Sequence, residues 1–268
     1  MTPPPSLYKY EAFSTQSLLN LKRQIIYFGS PLNFNDPYDC ALTPNIVDPS
    51  DAEVIHLRDE YLKGPGIPIT VRSEFETSSI SQLRASVLRA ATTGFHQAVQ
   101  AFLAKRGVAC FSETNDNLLM WSHYGGRYKG FCLEFDTSSE PFRNVTPVRY
   151  VPKLPLITIS QVLLDKTFSP IRELFCTKST AWKYESEWRA IHAEAGTQYC
   201  YPSSALTGIY FGPDIEQQSM EIVCLILAGQ NDTVKLWRGH RSTNEFKVNF
   251  EPMTYISHLE AKRNGLLE

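Results

Sequence analysis

A chain of 268 residues is long enough to bury a hydrophobic core without support from disulfides or a structural metal. Hydrophobic residues make up 43% and charged residues 20% of it, which argues against wholesale disorder, and the net charge of -2 gives no electrostatic case for binding nucleic acid or an anionic membrane. No apolar run reaches the ~20 residues of a membrane helix, and no signal-like leader opens the chain, so we expect a cytoplasmic protein.

The first third of the chain shows strand patterns followed by a long helical stretch. Alternation predicts a strand at 7–10, and Ser14 is placed to cap a helix that runs to about residue 22. β-Branched and aromatic residues predict a short strand at 24–28. Residues 51–106 are expected to be largely helical, with a Gly/Pro interruption at 64–68.

The middle of the chain alternates short strands and helices. We predict a strand at 108–111, a short helix at 115–124, a pair of strands at 130–135 and 146–151, and a helix at 160–176. Further strands are expected at 187–193, 206–211, 222–227 and 246–250. The pattern is that of an α+β protein with a mixed, mostly antiparallel central sheet and helices packed around it. We expect a single domain, residues 1–268, with a helical insertion at about 51–106.

Two polar-aromatic motifs lie in the first half of the chain. FNDPYD, residues 34–39, has Asn35 and Asp36 before a proline, which predicts a rigid turn that could also border a ligand pocket. MWSHYGGRYKG, residues 120–130, sets Trp121 and Tyr124 on one helix face and His123 on another. Core packing explains the two aromatic residues, and His123 could be a solvated side chain or a chemical group.

The motif WKYESEWR, residues 182–189, carries the most chemical information. If it is extended, Glu185, Glu187 and Arg189 share one face of a strand. Two carboxylates and a guanidinium together require pairing, solvent or a ligand. One alternative is an exposed ladder of Glu and Arg side chains. The other is a site bordered by aromatic side chains, which the flanking Trp182 favours. We expect the three motifs to converge on one site.

Several familiar signatures are missing from the sequence. It has no GxxxxGK[ST] loop, GxGxxG, HExxH or GxSxG, which argues against P-loop ATPases, classical dehydrogenases, zincins and α/β-hydrolases. The six cysteines form no CxxC or CxxH pair, which argues strongly against a zinc ribbon or finger. We expect no bound metal.

With these motifs in order, the chain resembles a bacterial family of unknown function, family 2971. The resemblance rests on LYKY, FNDPYD, CFSE with LLMWSHYG, KGFCLEFD and the closing KxxxWxYExEWR pattern at 178–189. It implies a relation to abortive-infection and other prokaryotic defence proteins, and it implies no settled activity.

A looser resemblance links the chain to ADP-ribosyltransferases. These enzymes have an aromatic or basic residue on an early strand, a Ser-centred strand, and ExE at a later strand, which Lys9 or Tyr10, Ser112, and residues 185–187 match here. The resemblance implies that Glu187 stabilises charge at the ribose of NAD and that Glu185 acts as a general base. It implies a nucleotide-like ligand held by Lys9, Tyr10, Asn35, Asp36, Ser112, Trp121, His123, Tyr124, Trp182 and Arg189.

This chain departs from the ADP-ribosyltransferase pattern at two points, since Ser-Thr-Ser is Ser-Glu-Thr and the early Arg or His is Lys or Tyr. Two alternatives therefore stay open. One is a metal-dependent nuclease that uses Asp36, Glu185, Glu187 and Lys178. The other is a non-enzymatic sensor or interaction module of a defence system. A macromolecular acceptor or a regulatory partner protein is possible in each case.

Overall fold

The structure, a computed structural model, describes residues 2–40, 45–164, 169–231 and 233–265. It divides into two compact units. The sheet unit consists of Met1–Ser30, Arg106–Val148 and Ala181–Glu268, and the helical unit consists of Pro31–Lys105 and Arg149–Thr180. The expectation of a single domain stays a prediction.

Strands and helices are mixed along the described ranges. The strands are β1 (Ser6–Glu11), β2 (Ile25–Tyr27), β3 (Asn45–Ile46), β4 (Gly107–Ser112), β5 (Phe131–Asp136), β6 (Thr146–Pro147), β7 (Arg149–Val151), β8 (Leu156–Ile157), β9 (Thr177–Ser179), β10 (Glu187–His192), β11 (Gln198–Cys200), β12 (Leu206–Phe211), β13 (Lys235–Arg241) and β14 (Val248–Met253). The helices are α1 (Thr15–Arg23), α2 (Asp51–Leu62), α3 (Ile69–Thr77), α4 (Ile80–Lys105), α5 (Leu118–His123), α6 (Ile159–Leu163), α7 (Ser169–Phe175), α8 (Gln217–Leu227) and α9 (His258–Arg263).

The sheet unit is built on one large sheet. Its strand order is β14-β13-β12-β5-β1-β4-β10-β6. Neighbouring strands are antiparallel, except for the parallel pair β12 and β13. The predicted α+β class with a mixed, mostly antiparallel sheet is confirmed.

Alternation along the central strands gives the sheet an apolar face and a polar-aromatic face. Leu7, Phe111, Phe135 and Trp188 belong to the main core on the apolar face. Helices α1 and α8 pack against each other and add Leu21 and Val223, among others, to this core. The start of α1 follows from the sequence, because Ser14 and Ser17 form a reciprocal capping box.

The polar-aromatic face is covered in part by α5. Trp121 of this helix is fully buried and packs edge-on against Tyr10 of β1, with ring centroids 5.2 Å apart. Gly125 follows α5 closely enough that a Cβ there would lie 2.5 Å from the Trp121 ring, so this glycine is required by packing. Packing against the Trp121 ring therefore fixes both the turn that follows α5 and the ring of Tyr10.

The helical unit confirms the predicted helical stretch at 51–106. Helices α2, α3 and α4 occupy it, and the break between α2 and α3 falls at the predicted Gly/Pro interruption. In α4 the buried residues recur every four positions, as Leu83, Val87, Ala91, Phe95, Val99 and Leu103. Two short parallel pairs, β3 with β8 and β7 with β9, also lie in this unit. None of the helices in the described ranges has the length and apolar character needed to cross a membrane.

Three local predictions are wrong or change in form. Residues 222–227 belong to α8 and are not a strand. Residues 130–135 and 146–151 do not pair, because β5 lies between β1 and β12 whereas β6 pairs with β10 and β7 with β9. The helix expected at 160–176 is present as α6 and α7, and residues 165–168 of that prediction lie outside the described residues.

Candidate functional site

Glu187 and Arg189 form a buried ion pair on β10. Arg189 Nε donates to Glu187 Oε1 at 2.7 Å and Arg189 Nη2 donates to Glu187 Oε2 at 3.0 Å. Both side chains are buried, Arg189 completely. The pair is bidentate, a geometry that orients the carboxylate as well as neutralising it. The interpretation as an exposed Glu–Arg ladder is therefore wrong.

Four polar side chains lie in one line across the polar-aromatic face. Glu187 of β10 is directly opposite Ser112 of β4, and Ser112 is directly opposite Tyr8 of β1. Tyr8 is in turn opposite Glu134 of β5. Directly opposed residues of antiparallel strands project to the same face, so we call Glu134, Tyr8, Ser112 and Glu187 the polar row. It connects strands that are far apart in the sequence.

Glu185 lies outside the strand, which corrects the expectation that it extends the Glu187–Arg189 face. It ends a 3-10 helix, Thr180–Glu185, and Ser186 has φ 43° in the left-handed region before β10 begins. The side chain of Glu185 is nevertheless buried, and Tyr124 Oη donates to its Oε1 at 2.7 Å. A residue such as Ser adopts this φ at a cost, so the turn that redirects Glu185 is held by its surroundings.

Hydrogen bonds tie this turn to β4 and α5. Ser112 Oγ donates to the carbonyl of Glu185 at 2.7 Å, and the amide of Glu113 donates to the carbonyl of Ser186 at 3.1 Å. Asn117 caps α5 through its Oδ1 and donates from Nδ2 to the carbonyl of Tyr184 at 3.2 Å. The positions of Glu185 and Tyr124 are therefore set by the same few contacts.

Half-exposed and exposed rings lie next to the Tyr124–Glu185 contact. Tyr184 lies with its ring centroid 6.0 Å from Trp182 and 6.3 Å from His123. His123 is exposed, and its ring centroid is 6.2 Å from that of Tyr124. We call His123, Tyr124, Trp182 and Tyr184 the aromatic patch. It offers ring faces beside a buried carboxylate.

The two residues predicted on β1 lie on opposite faces. Tyr10 is on the polar-aromatic face, where it is buried against Trp121 and donates from Oη to the carbonyl of Thr114 at 2.8 Å. Burial raises the pKa of the Tyr10 hydroxyl. Lys9 alternates to the apolar face, where its Nζ lies 3.3 Å from Glu11 Oε1. Strand alternation thus separates Lys9 from Ser112 and Glu187.

The predicted residues Asn35 and Asp36 belong to the helical unit. Asp36 Oδ1 accepts from the amide of Tyr38 at 2.9 Å, and the Asp39 amide donates to the carbonyl of Asp36 at 3.0 Å. These hydrogen bonds confirm the turn predicted for FNDPYD. Convergence of this motif with the other two stays a prediction.

Lys178, invoked for the nuclease alternative, lies in the same unit as FNDPYD. Its Nζ lies 3.1 Å from Asp39 Oδ2, and both side chains are almost fully buried. In the part of the chain that the structure describes, no group of three or more His, Cys, Asp or Glu side chains is arranged to hold a metal ion.

Sequence reasoning missed Tyr8, Glu134, Asn117 and Tyr184. Tyr8 could have been found, because alternation places it on the same face as Tyr10. Asn117 carries the ordinary signal of a helix N-cap just before an apolar run, although the predicted helix begins at residue 115. Glu134 joins the row only through the order of the strands in the sheet, for which the sequence has no local signal.

Comparison with known proteins finds a similarity over part of the chain. A family model described as "Protein of unknown function (DUF2971)" matches residues 120–190. The matched segment includes α5 from Met120 onward, Glu185, Glu187 and Arg189, whereas β1, FNDPYD and Ser112 lie outside it. The predicted resemblance to a family of unknown function is confirmed over those residues. No curated protein and no solved structure matches the chain.

Proposed function

We propose that this protein breaks the glycosidic bond between nicotinamide and ribose in NAD and transfers ADP-ribose to an acceptor or to water. The observation that carries the proposal is the direct cross-strand succession of Tyr8, Ser112 and Glu187 on one sheet face. These are the strands on which the resemblance to ADP-ribosyltransferases requires an early aromatic or basic residue, a serine and a glutamate. In this proposal Tyr8 supplies the first of these, in place of Lys9 or Tyr10.

Glu187 is the residue that meets the reacting sugar in this proposal. Its carboxylate accepts a hydrogen bond from a ribose hydroxyl and stabilises the positive charge that develops at the anomeric carbon. The C–N bond breaks, and its electron pair leaves with nicotinamide. Arg189 holds both oxygens of Glu187, so the carboxylate is oriented before the substrate arrives.

Glu185 acts on the acceptor in the same reaction. A lone pair of the acceptor oxygen forms the new bond to the anomeric carbon, and the proton of that oxygen goes to Glu185. Tyr124 fixes the Glu185 carboxylate through its 2.7 Å hydrogen bond. The ring faces of the aromatic patch lie beside it and are suited to stacking on nicotinamide.

The decisive experiment measures nicotinamide released from NAD by the purified chain, with water or the chain itself as acceptor. We expect Glu187→Gln to lower the rate by roughly a hundredfold or more. Glu185→Gln is expected to lower it by roughly 10²–10⁴-fold, as removal of a general base does. Glu251→Gln is the matched control, because it makes the same change in an exposed side chain on the edge strand β14.

Two results would decide against the proposal. One is the absence of nicotinamide release, of ADP-ribose on the protein and of any thermal shift with NAD. The other is turnover that Glu187→Gln leaves intact while circular dichroism shows both proteins folded. The role in bacterial defence, or as a toxin, that the family resemblance implies is part of the same proposal, as is a macromolecular acceptor.

A further inference from the structure

Glu134 lies at the opposite end of the polar row from Glu187, and the proposed reaction does not use it. Tyr210 Oη donates to Glu134 Oε2 at 3.1 Å, and Tyr8 Oη approaches Glu134 Oε1 at 3.5 Å. The Glu134 side chain is only partly buried. A carboxylate has roughly four acceptor positions, so these two hydrogen bonds leave it able to accept from a ligand as well.

The neighbouring strand leaves space for this carboxylate. Gly208 of β12 lies directly opposite Glu134. A Cβ at Gly208 would lie 2.5 Å from Glu134 Oε2 and 3.4 Å from its Cβ, so any larger residue displaces the carboxylate. A glycine inside a strand weakens the strand and often marks a close approach of this kind. The carboxylate therefore occupies the space that a side chain at position 208 would take, and we call this space the notch.

Rigid rings surround the notch. Tyr210 stacks on Trp237 of β13, with centroids 5.7 Å apart and an interplanar angle of 4°. Tyr8 meets Tyr210 edge-on at 5.9 Å. The two phenols that donate to Glu134 are therefore fixed in place by packing, which is what a preorganised binding group needs.

The position of Glu134 relative to Glu187 limits what could bind there. The two carboxylates are separated by three strand spacings, roughly 14 Å. A single sugar does not span that distance, whereas an extended ligand with two ribose groups joined by a pyrophosphate does. Carboxylates are also the groups that recognise the ribose hydroxyls of such ligands in other folds.

We propose that Glu134, Tyr8, Tyr210 and Gly208 form a second subsite, which binds the vicinal diol of the adenosine ribose and selects NAD over NADP. The inference rests on the proposed function, since it takes Glu187 as the site of the nicotinamide ribose. NADP carries a phosphate on a hydroxyl of the adenosine ribose. That phosphate would face the negative charge of Glu134 and be rejected.

The test compares the Kd values of NAD and NADP by titration calorimetry on the full chain. We expect the wild-type protein to bind NAD at least roughly tenfold more tightly than NADP, because loss of a hydrogen bond to a charged group and like-charge repulsion both act against NADP. Glu134→Gln should raise the Kd for NAD by roughly tenfold and bring the two Kd values together. Gly208→Ala should act in the same direction, and Glu251→Gln should leave both Kd values unchanged.

The outcomes separate this inference from the proposed reaction. If NAD binds and is turned over but Glu134→Gln and Gly208→Ala leave the ratio of Kd values as in the wild type, the subsite is refuted and the reaction stands. Equal affinity of the wild type for NAD and NADP refutes the subsite in the same way. If neither dinucleotide binds, both the reaction and the subsite are refuted.

Discussion

Arg189 holds both carboxylate oxygens of Glu187 from a side chain with no exposure to solvent. An intact buried pair of this kind changes the free energy of unfolding little. Removal of one partner lowers that free energy strongly, because the other partner is left as a buried charge. The contact therefore bears on the stability of the sheet as well as on any reaction at Glu187.

We predict that Arg189→Met lowers the free energy of unfolding by roughly 3–5 kcal/mol, because Glu187 is left as a buried charge without this partner. Urea denaturation followed by circular dichroism measures the change. Glu187→Met/Arg189→Met should recover part of the loss, since no charge of the pair is then left over. A single variant that loses less than about 1 kcal/mol, the range of an exposed pair, would contradict the prediction.

The hydrogen bond from Tyr124 to Glu185 is expected to be a strong one. Tyr124→Phe should cost roughly 1.5–3 kcal/mol of unfolding free energy, because the acceptor is a buried carboxylate. Tyr128→Phe is the matched control: its hydroxyl donates at 2.9 Å to the carbonyl of Leu118, a neutral acceptor. That variant should cost only about 0.5–1.5 kcal/mol. Equal losses in urea denaturation would show that Glu185 does not hold the tyrosine as a charged acceptor.

Alkaline pH is expected to destabilise the protein in part through the Tyr8 hydroxyl. Burial, followed by the charge of Glu134, raises the pKa of Tyr8 to about 12 in the folded chain, against about 10 in the unfolded chain. The protonated hydroxyl therefore contributes stability that is complete below about pH 10 and is lost as the pH rises towards 12. Tyr8→Phe should flatten the fall in unfolding free energy over that window, and Glu134→Gln should lower the pKa of Tyr8.

Urea denaturation at a series of pH values measures the first effect, and ultraviolet difference spectroscopy of tyrosinate measures the second. Tyr27→Phe is the control for loss of a tyrosine, because Tyr27 is exposed. The same pH slope in Tyr8→Phe as in the wild type would contradict the prediction.

The six thiols should differ sharply in reactivity. Cys200 is exposed on β11, whereas four of the others are buried and Cys110 is half-buried. Burial, helped by the charge of Glu221, also raises the pKa of the Cys224 thiol to about 12, which suppresses its reactive thiolate. We predict one fast thiol in the native protein by mass spectrometry after brief alkylation. Cys200→Ser should remove it, and fast labelling of Cys224 would refute the prediction.

Local signals predicted much of the fold. Ser14 marked the start of α1, alternation marked β1, and the strands predicted at 108–111 and 187–193 are present as β4 and β10. The error at 222–227 has a physical cause, because Ile222, Val223 and Leu225 give the segment the composition of a strand. The helix forms instead because Met220, Val223, Cys224 and Leu227 then share one buried face over the sheet.

Only those parts of the candidate site that depend on residues close together in the sequence could be predicted. Alternation along β10 is enough to put Glu187 and Arg189 on one face, and they do pair. The left-handed Ser186 could not be foreseen, since no glycine or asparagine marks it, and it is what takes Glu185 out of the strand. Tyr8 and Glu134 join Ser112 and Glu187 through strand order, which depends on contacts between distant parts of the chain.

The two units are interleaved along the chain, and this limits how the protein can be assembled. The helical unit needs Arg149–Thr180 to complete what Pro31–Lys105 begins, and the large sheet needs strands as late as β14. A ribosome therefore has to release the chain through Thr180 before the helical unit can close, and through β14 before the large sheet can close. Early segments expose apolar surface while they wait. For the same reason, no single cut separates the chain into two fragments that each carry a complete unit.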